Sequence, residues 1–365
     1  MRHDDGSASL ADSRAPRFDP RFGTQREATQ YGNVATYVSA ARHRLDRDAL
    51  RFVVQTHQPL PSQPPPGRNT LVLFAHFDPQ GVVDPYVVHY LEALSRLGTT
   101  ILFVSGSPSL TPESVAPLRS ICAGIYTRRT LSLDFGSWHL AWNILREHGW
   151  SLNRFDRLVL ANDSVYGPLF PLDEMWDSFR GADMYGSIES HEVKPHIQSF
   201  FLAFDLNTRT RAFIDTFWTD FRYVVNKWRL IKRCEIGLAS RAGEAGLRIK
   251  PYISVNDVRQ SIASTPQHEW RAKLIGPPTN YPMYFYDGLI EQLRFPFLKT
   301  SLPRCRYPQH QSLDRLPELI GRHTEYPYSL IQSHLNRLAV PDPVAIAAKN
   351  VGYVPDRSSP LGLTT

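Results

Sequence analysis

Between residues 70 and 161 the chain alternates continuous apolar runs with amphipathic stretches. The runs Thr70–Ala75, Thr99–Val104, Gly124–Thr127 and Arg157–Ala161 are short and lack polar alternation, as expected of strands buried on both faces. Val87, Val88, Tyr90, Leu91 and Leu94 recur at helical spacing and predict a helix over Asp84–Leu97, stopped by Gly98. Thr111-Pro-Glu-Ser carries the N-cap and first-turn proline of another helix, and Gly136–His148 reads as a third. Strand and helix in alternation predict an α/β fold around a parallel, doubly wound sheet. Ligands of such sheets bind beyond the carboxyl ends of the strands. Three of those ends are polar and fall along one edge: His76-Phe-Asp78, Ser105-Gly-Ser107 and Asn162-Asp-Ser164.

Past Pro171 the rhythm changes. Met184–Ile188 and Ser199–Phe204 read as strands, Thr210–Trp228 as a long aromatic-rich helix, and Glu235–Ala245 as a helix ended by Gly246. Pro277–Leu302 is dense in aromatics and proline, and a helix is expected over Tyr328–Leu338. Residues 1–31 are polar and poor in aliphatics, as expected of a mobile segment, with a helical pattern over Ala35–Leu50 and a loose tail from Pro355. The five prolines of Pro59–Pro66 predict an extended linker. The expected organisation is a polar segment with its linker over 1–68, one α/β domain over 69–306, and a helical extension with a tail over 307–365.

Composition narrows the classes. At 365 residues and 42% hydrophobic the chain can bury a sizeable core. No apolar run approaches the roughly 20 residues of a membrane-spanning helix, and the polar, acidic start is not that of a secretory leader. The three cysteines, Cys122, Cys234 and Cys305, are far apart, without zinc spacing, and fit a reducing cytoplasm. A net charge of +6 favours anionic partners. Its basic residues lie in small clusters, at Arg128-Arg129, Lys227–Arg233 and Arg304-Cys-Arg306, with no nucleic-acid-binding arm. With 29 prolines and 12% aromatics the chain reads as an enzyme of many shaped loops.

The candidate chemistry lies at strand ends and helix starts. Asn162-Asp163-Ser164 places a carboxylate between an amide and a hydroxyl; the same residues also make a simple Asx turn. Asp163 suits a hard cation such as Mg²⁺, which takes one or two carboxylates together with substrate phosphates. Asp134 or Ser137 is placed to cap the helix that follows, and Gly136 would let a ligand approach its backbone. His196 suits a phosphate or hydroxyl, or a purely structural bond. Glu235, at a helix start, suits a macrodipole contact or a general base. There is no GxGxxG, Gly-Lys-Ser or Gly-x-Ser-x-Gly run, which sets aside dinucleotide, P-loop and nucleophilic-serine readings.

Five ordered motifs resemble the rhamnan synthesis protein F family of bacterial polysaccharide glycosyltransferases: Leu133-Asp-Phe-Gly-Ser-Trp138, Asn162-Asp-Ser-Val-Tyr-Gly-Pro-Leu-Phe-Pro171, His196-Ile-Gln-Ser-Phe-Phe-Leu202, Glu235-Ile-Gly-Leu-Ala-Ser240 with Gly246, and Pro278–Ile290 with Phe295-Pro-Phe-Leu-Lys299. The resemblance implies a GT-A-like fold, with a Rossmann-type nucleotide-binding sheet joined to an acceptor-side α+β portion. It implies transfer of a deoxyhexose, typically rhamnose, from a dTDP- or GDP-linked donor to a glycan or lipid-linked glycan, with inversion. By that resemblance Asn162, Asp163 and Ser164 stand where such enzymes carry an Asp-x-Asp motif, with Mg²⁺ or Mn²⁺ as an optional cofactor on Asp163. Asp134, Gly136 and Ser137 line the nucleotide, with His76 at the neighbouring strand end. Glu235 stands at the place of the catalytic carboxylate, while His196, Gln198 and Lys299 face the donor phosphates or the acceptor. With one carboxylate in the metal motif, Lys299, arginines or His196 are left to offset the leaving diphosphate. Asn280 stands where the fifth motif would carry histidine. The basic clusters are expected to favour the inner face of a membrane. A non-catalytic glycan-binding module, with Trp138, Trp142, Trp176 and Tyr281 as stacking platforms, is the competing reading, and a nucleotide-sugar hydrolase is a third.

Overall fold

The computed structural model describes residues 53–128, 132–224, 227–264, 275, 279–304 and 313–339. The expected mobile segment over 1–31, the helix over Ala35–Leu50, the tail from Pro355 and the residues Cys305 and Arg306 lie outside these.

The strands are β1 (Val53–Gln58), β2 (Thr70–His76), β3 (Thr99–Ser105), β4 (Gly124–Arg128), β5 (Arg157–Asn162), β6 (Val165–Tyr166), β7 (Met184–Ser190), β8 (His196–Ile197), β9 (Phe201–Asp205), β10 (Ile249–Ile253) and β11 (Leu298–Lys299). The main sheet runs β1-β4-β3-β2-β5-β9-β7-β10, with β8 paired to β7, and β6 pairs with β11 in a second, two-stranded sheet. Strands β4, β3, β2 and β5 are parallel, as the apolar runs predict. The sheet as a whole is mixed: β9 lies antiparallel between β5 and β7, and β10 runs parallel to β7. The uniformly parallel expectation fails at β9: the chain passes from β5 over the short helix Leu172–Ser178 to β7, and then returns through β8 so that β9 fills the gap between β5 and β7 in the opposite direction. The fold is α/β, with this parallel block at its centre.

Side chains on the two faces of the central strands build two apolar layers. Val72, Phe74, Ile101, Phe103, Val159 and Ala161 pack on one face with helix α1 (Pro85–Arg96). Leu71, Leu73, Leu102, Val104, Leu158 and Leu160 pack on the other against helices α2 (Leu133–Glu147), α3 (Thr208–Thr219) and α4 (Ile236–Glu244). Burial on both faces explains why these runs carry no polar alternation.

Three sequence expectations change. The segment before the prolines is not linker alone: Val53–Gln58 is an edge strand antiparallel to β4. The aromatic helix ends at Thr219, not Trp228, because Phe221 and Tyr223 turn inward onto the His139 ring, at centroid distances of 4.8 and 5.3 Å. Glu235 is not at a free helix start. It closes a π-helical turn, Ile231–Glu235, that runs straight into α4, so the macrodipole reading lapses. The C-terminal helices α5 (Leu316–His323) and α6 (Tyr328–Arg337) place Leu316, Ile320, Ile331 and Leu335 in the same apolar layer as α1.

Candidate active site at the strand-end edge

The register of the parallel block decides where the polar strand ends meet. His76 pairs with Ser105 across β2 and β3, and Ala75 pairs with Asn162 across β2 and β5. The carboxyl ends of three strands therefore face one edge, as expected. There the His76 Nδ1 lies 2.9 Å from the Ser105 hydroxyl, and that hydroxyl donates to Ser107 Oγ at 2.8 Å. The Phe77 N–H donates to Asp163 Oδ2 at 2.9 Å, and His76 Nε2 stands 3.7 Å from the same oxygen. The Tyr86 hydroxyl donates to the Asp163 carbonyl at 3.0 Å.

Asn162 is buried and bonded at both ends of its side-chain amide. Its amide donates to Asp134 Oδ2 at 2.7 Å, and its oxygen accepts from the Ser164 hydroxyl at 2.6 Å and the Ser164 N–H at 3.1 Å. The Asx turn is thus real, and it sets Asp163 against the β2 end. Gly167, with φ of +145°, makes the next bend possible; a Cβ there would come within 2.4 Å of the Pro296 carbonyl. The Gly167–Pro168 bond is cis.

Around Asp163 the charges are crowded. Burial pushes its carboxyl well above the usual range, with Asp134 and Asp78 adding to the rise and the Phe77 N–H opposing it. Burial likewise holds His76 down at about 4, so it is a neutral ring that supports Asp163 rather than a phosphate-binding cation. Neither Asp134 nor Ser137 caps α2, contrary to expectation. The residue before the helix is Ser132, in the left-handed region, and it makes no side-chain cap bond. Ser137 instead accepts from the buried Arg128 Nε at 2.8 Å, and Gly136 is buried with its N–H donated to Ser132 at 3.0 Å. Both therefore support the edge from below instead of offering backbone to a ligand.

The second half of the edge is built on β8, β9 and the π-helical turn. Ser199 donates to Glu235 Oε2 at 2.6 Å, and His196 Nε2 faces Glu235 Oε1 at 3.4 Å. The His196 Nδ1 donates to the Lys194 carbonyl at 2.8 Å, so Nε2 carries a proton only in the imidazolium. Burial pushes the Glu235 carboxyl up, but the hydrogen bond and charge of His196, with Ser199, outweigh it and hold the group below its ordinary value. Burial pushes His196 down, and Glu235 reverses that to raise it. Glu192, raised by burial, lies within the field of both and of Lys299. The Lys299 ammonium sits 4.5 Å over the Phe200 ring. Gln198 donates to Asn280 Oδ1 at 3.3 Å.

One short stretch of β9 and its approach joins the two halves. The Phe200 carbonyl accepts from Asn162 N at 3.3 Å, and its neighbour Ser199 holds Glu235. Lys299 reaches the same ring because β11 pairs with β6, immediately after the Asp163 turn. Asp134, Asp163, Ser164, Glu235 and Lys299 remain partly open to solvent, whereas His76, Gly136, Ser137, Asn162, His196 and Gln198 are buried behind them. The buried Cys234 thiol beside Glu235 is pushed up to about 12 by burial and is no nucleophile. The wide concavity of about 440 Å³ lined by Asp183, Asn207, Arg209 and Arg248 lies at the opposite edge of the sheet.

The expected stacking platforms are not exposed. Trp138, Trp142 and Tyr281 are buried, and Trp176 is covered by the Arg157 guanidinium at 4.6 Å. Sequence reasoning singled out no role for Glu192 or Arg128, nor for Ser199 and Tyr86, whose partners Glu235 and Asp163 lie 36 and 77 residues away. Only Ser199, inside the His196 motif, had a local sign.

The family described as rhamnan synthesis protein F matches residues 101–359, which spans both halves of this edge. The chain belongs to the rhamnan synthesis protein F family. The virulence protein VirA of Vibrio anguillarum is 29% identical over 129 residues, covering 35% of this family member and 41% of VirA. The chain thus matches about two fifths of that relative's length. Among solved structures, a putative nucleotide-diphospho-sugar transferase from Desulfovibrio desulfuricans G20 is 13% identical, covering 56% of this chain and 91% of its own at a TM-score of 0.33. The mannosyltransferase PcManGT from Pyrobaculum calidifontis is 10% identical over 92% of each chain at a TM-score of 0.34.

Among the described residues, no three His, Cys, Asp or Glu side chains gather as a metal cage. Asp163 is a carboxyl with 13% of its side chain exposed, in a spot that Asp134 and Asp78 make electronegative. That donor set fits a cation that arrives with a diphosphate and takes only one or two protein carboxylates.

Proposed function

We propose that this chain is an inverting GT-A-like glycosyltransferase that moves a deoxyhexose, rhamnose first, from a dTDP- or GDP-linked donor to a glycan or lipid-linked glycan. The observation that carries the reading is the Glu235 carboxylate. It is held ionised by His196 and Ser199, partly open, and bridged through Ser199 and Phe200 to the Asn162–Ser164 turn. Membership of the rhamnan synthesis protein F family supports it.

In this mechanism the acceptor hydroxyl oxygen bonds to the anomeric carbon as the bond from that carbon to the diphosphate oxygen breaks. The electron pair leaves with the diphosphate, and the hydroxyl proton passes to Glu235. The Lys299 ammonium and the His196 imidazolium offset the charge that develops on the diphosphate. Asp163 orients the donor, and it is the residue that would hold a divalent cation, which would add charge neutralisation at the diphosphate. Asn162, His76, Gly136 and Ser137 hold these groups in place from below, and Gln198 with Asn280 borders the acceptor side. No helix among the described residues is long and apolar enough to cross a membrane; exposed basic residues such as Lys232 and Arg233 support a peripheral contact with an anionic lipid face.

The test pairs the wild type with Glu235→Gln on a panel of nucleoside diphosphate sugars and oligosaccharide acceptors. Transfer by the variant is expected to fall about 100-fold or more, with donor affinity within twofold. Near wild-type transfer by the variant removes Glu235 from the chemistry. A wild type that binds oligosaccharide but turns over no donor is a binding module, and one that releases free sugar without acceptor is a hydrolase.

A further inference from the structure

We infer that Arg337, on the last turn of the C-terminal helix α6, is a positioning residue for the Asp163 end of the site. It acts through the loop over residues 77–84. Its Nη2 donates to Asp78 Oδ2 at 2.6 Å, its Nε to Asp84 Oδ1 at 2.8 Å, and its Nη1 to Gln80 Oε1 at 3.0 Å, while Nη2 also reaches Asp84 Oδ2. Asp78 and Asp84 are 6% and 4% exposed, so removing the guanidinium would strand two poorly solvated carboxylates in this loop.

The loop so held is continuous with the site. Asp78 Oδ1 accepts from the Gln80 and Val82 N–H groups, and the Asp78 N–H donates to Ser107. One residue earlier, the Phe77 N–H holds Asp163. Gly81, at φ +73°, brings the loop so close to Ser109 that a Cβ would lie 2.2 Å from its carbonyl, so the loop has little room to relax. The same helix grips the far side of the turn. The His334 Nδ1 is 2.8 Å from the Tyr166 hydroxyl, and the His334 ring packs at 4.8 Å on Tyr86, whose hydroxyl holds the Asp163 carbonyl. A forked donor meeting two carboxylates and an amide fixes orientation as well as distance, which a lysine cannot reproduce. Elements far past the last sequence motif thus set the geometry of Asp163.

Two variants separate positioning from plain stability. Arg337→Ala removes the fork, and Ile331→Ala removes a fully buried apolar side chain of the same helix. Amide hydrogen exchange on the full chain is the first readout and does not depend on the proposed activity. Arg337→Ala is expected to speed exchange over residues 77–82 by tenfold or more, leaving β2 and β5 protected, and Arg337→Lys to recover only part of that protection. Ile331→Ala is expected to lower Tm comparably without this local change. The kinetic arm rests on the proposed glycosyl transfer: with Arg337→Ala the donor KM is expected to rise about tenfold, and kcat to change less than threefold. If exchange over 77–82 is unchanged, or is the same in both alanine variants, the inference falls. If exchange changes as expected but the wild type turns over no donor, the positioning role stands and the transferase reading falls.

Discussion

Removing His196 tests the electrostatics that make Glu235 a candidate base. The His196 side chain is 3% exposed and that of Glu235 21%, so water screens the pair poorly. In His196→Ala the carboxylate keeps its Ser199 hydrogen bond and its burial but loses the cation. The Glu235 carboxyl is then expected to rise, because burial, the largest influence on it, is opposed only by Ser199 and Lys299.

The wild-type shifts fix where the loss is felt. A carboxylate depressed in the folded state adds stability that is complete above its unfolded pKa, about 4.3, and fades as pH falls through the folded value. An imidazole raised in the folded state adds stability that is complete below its unfolded pKa, about 6.5, and fades as pH rises through the folded value. Glu235 is depressed and His196 raised, so the pair contributes most between about pH 4.5 and 6.5. Stranding a fully buried charge costs about 3–5 kcal/mol. The partial exposure of Glu235 and its Ser199 bond, worth about 1.5 kcal/mol, reduce that to about 2 kcal/mol, or a Tm drop of about 3 °C for a chain of this length. Thermal melts of the wild type, His196→Ala, Glu235→Gln and the double variant, from pH 4 to 9, yield the coupling free energy. It is expected to peak near pH 5–6 and decline on both sides. A coupling that is flat, or that grows toward pH 9, refutes an ionic pair at this site. The acid limb of the transfer profile should also move to higher pH in His196→Ala, as Glu235 holds its proton longer.

Two further outcomes follow from the other half of the edge. Asp163→Asn keeps an oxygen for the Phe77 N–H but removes the charge, so nucleoside diphosphate affinity in Mg²⁺ or Mn²⁺ should fall about tenfold with the fold intact; an unchanged Kd measured by calorimetry would take Asp163 out of donor binding. Gly81→Ala must accept a left-handed backbone and a contact with Ser109, and a loss of about 2 kcal/mol is expected in denaturant unfolding; full stability would show that the 77–84 loop relaxes freely.

Much of this arrangement is legible in the residue order. The apolar runs of β2, β3, β4 and β5, the cap at Thr111 and the Gly98 stop follow from short-range rules, and the structure keeps them within a residue or two. Polar strand ends predict the edge because, in a parallel sheet, successive carboxyl ends fall on one side. What is not legible depends on partners distant in sequence. Val53–Gln58 is a strand only because β4 offers it an open edge. Phe221 and Tyr223 leave helix geometry because His139 offers a better burial. Asp134 looks like a cap by position, yet its hydrogen bond goes to Asn162 across the edge.

Residue order alone carries the alternation of buried strands and amphipathic helices, the polar edge at Asn162–Ser164 and the family to which the chain belongs. Those properties reside in local patterning and in motif order, which survive in one dimension. That Glu235 is held below its ordinary value, that Asp163 is raised, and that Arg337 reaches Asp78 and Asp84 emerge only in the folded chain. A carboxylate's charge state is set by burial and by neighbours within a few ångströms, and the fold brings those neighbours in from up to 259 residues away.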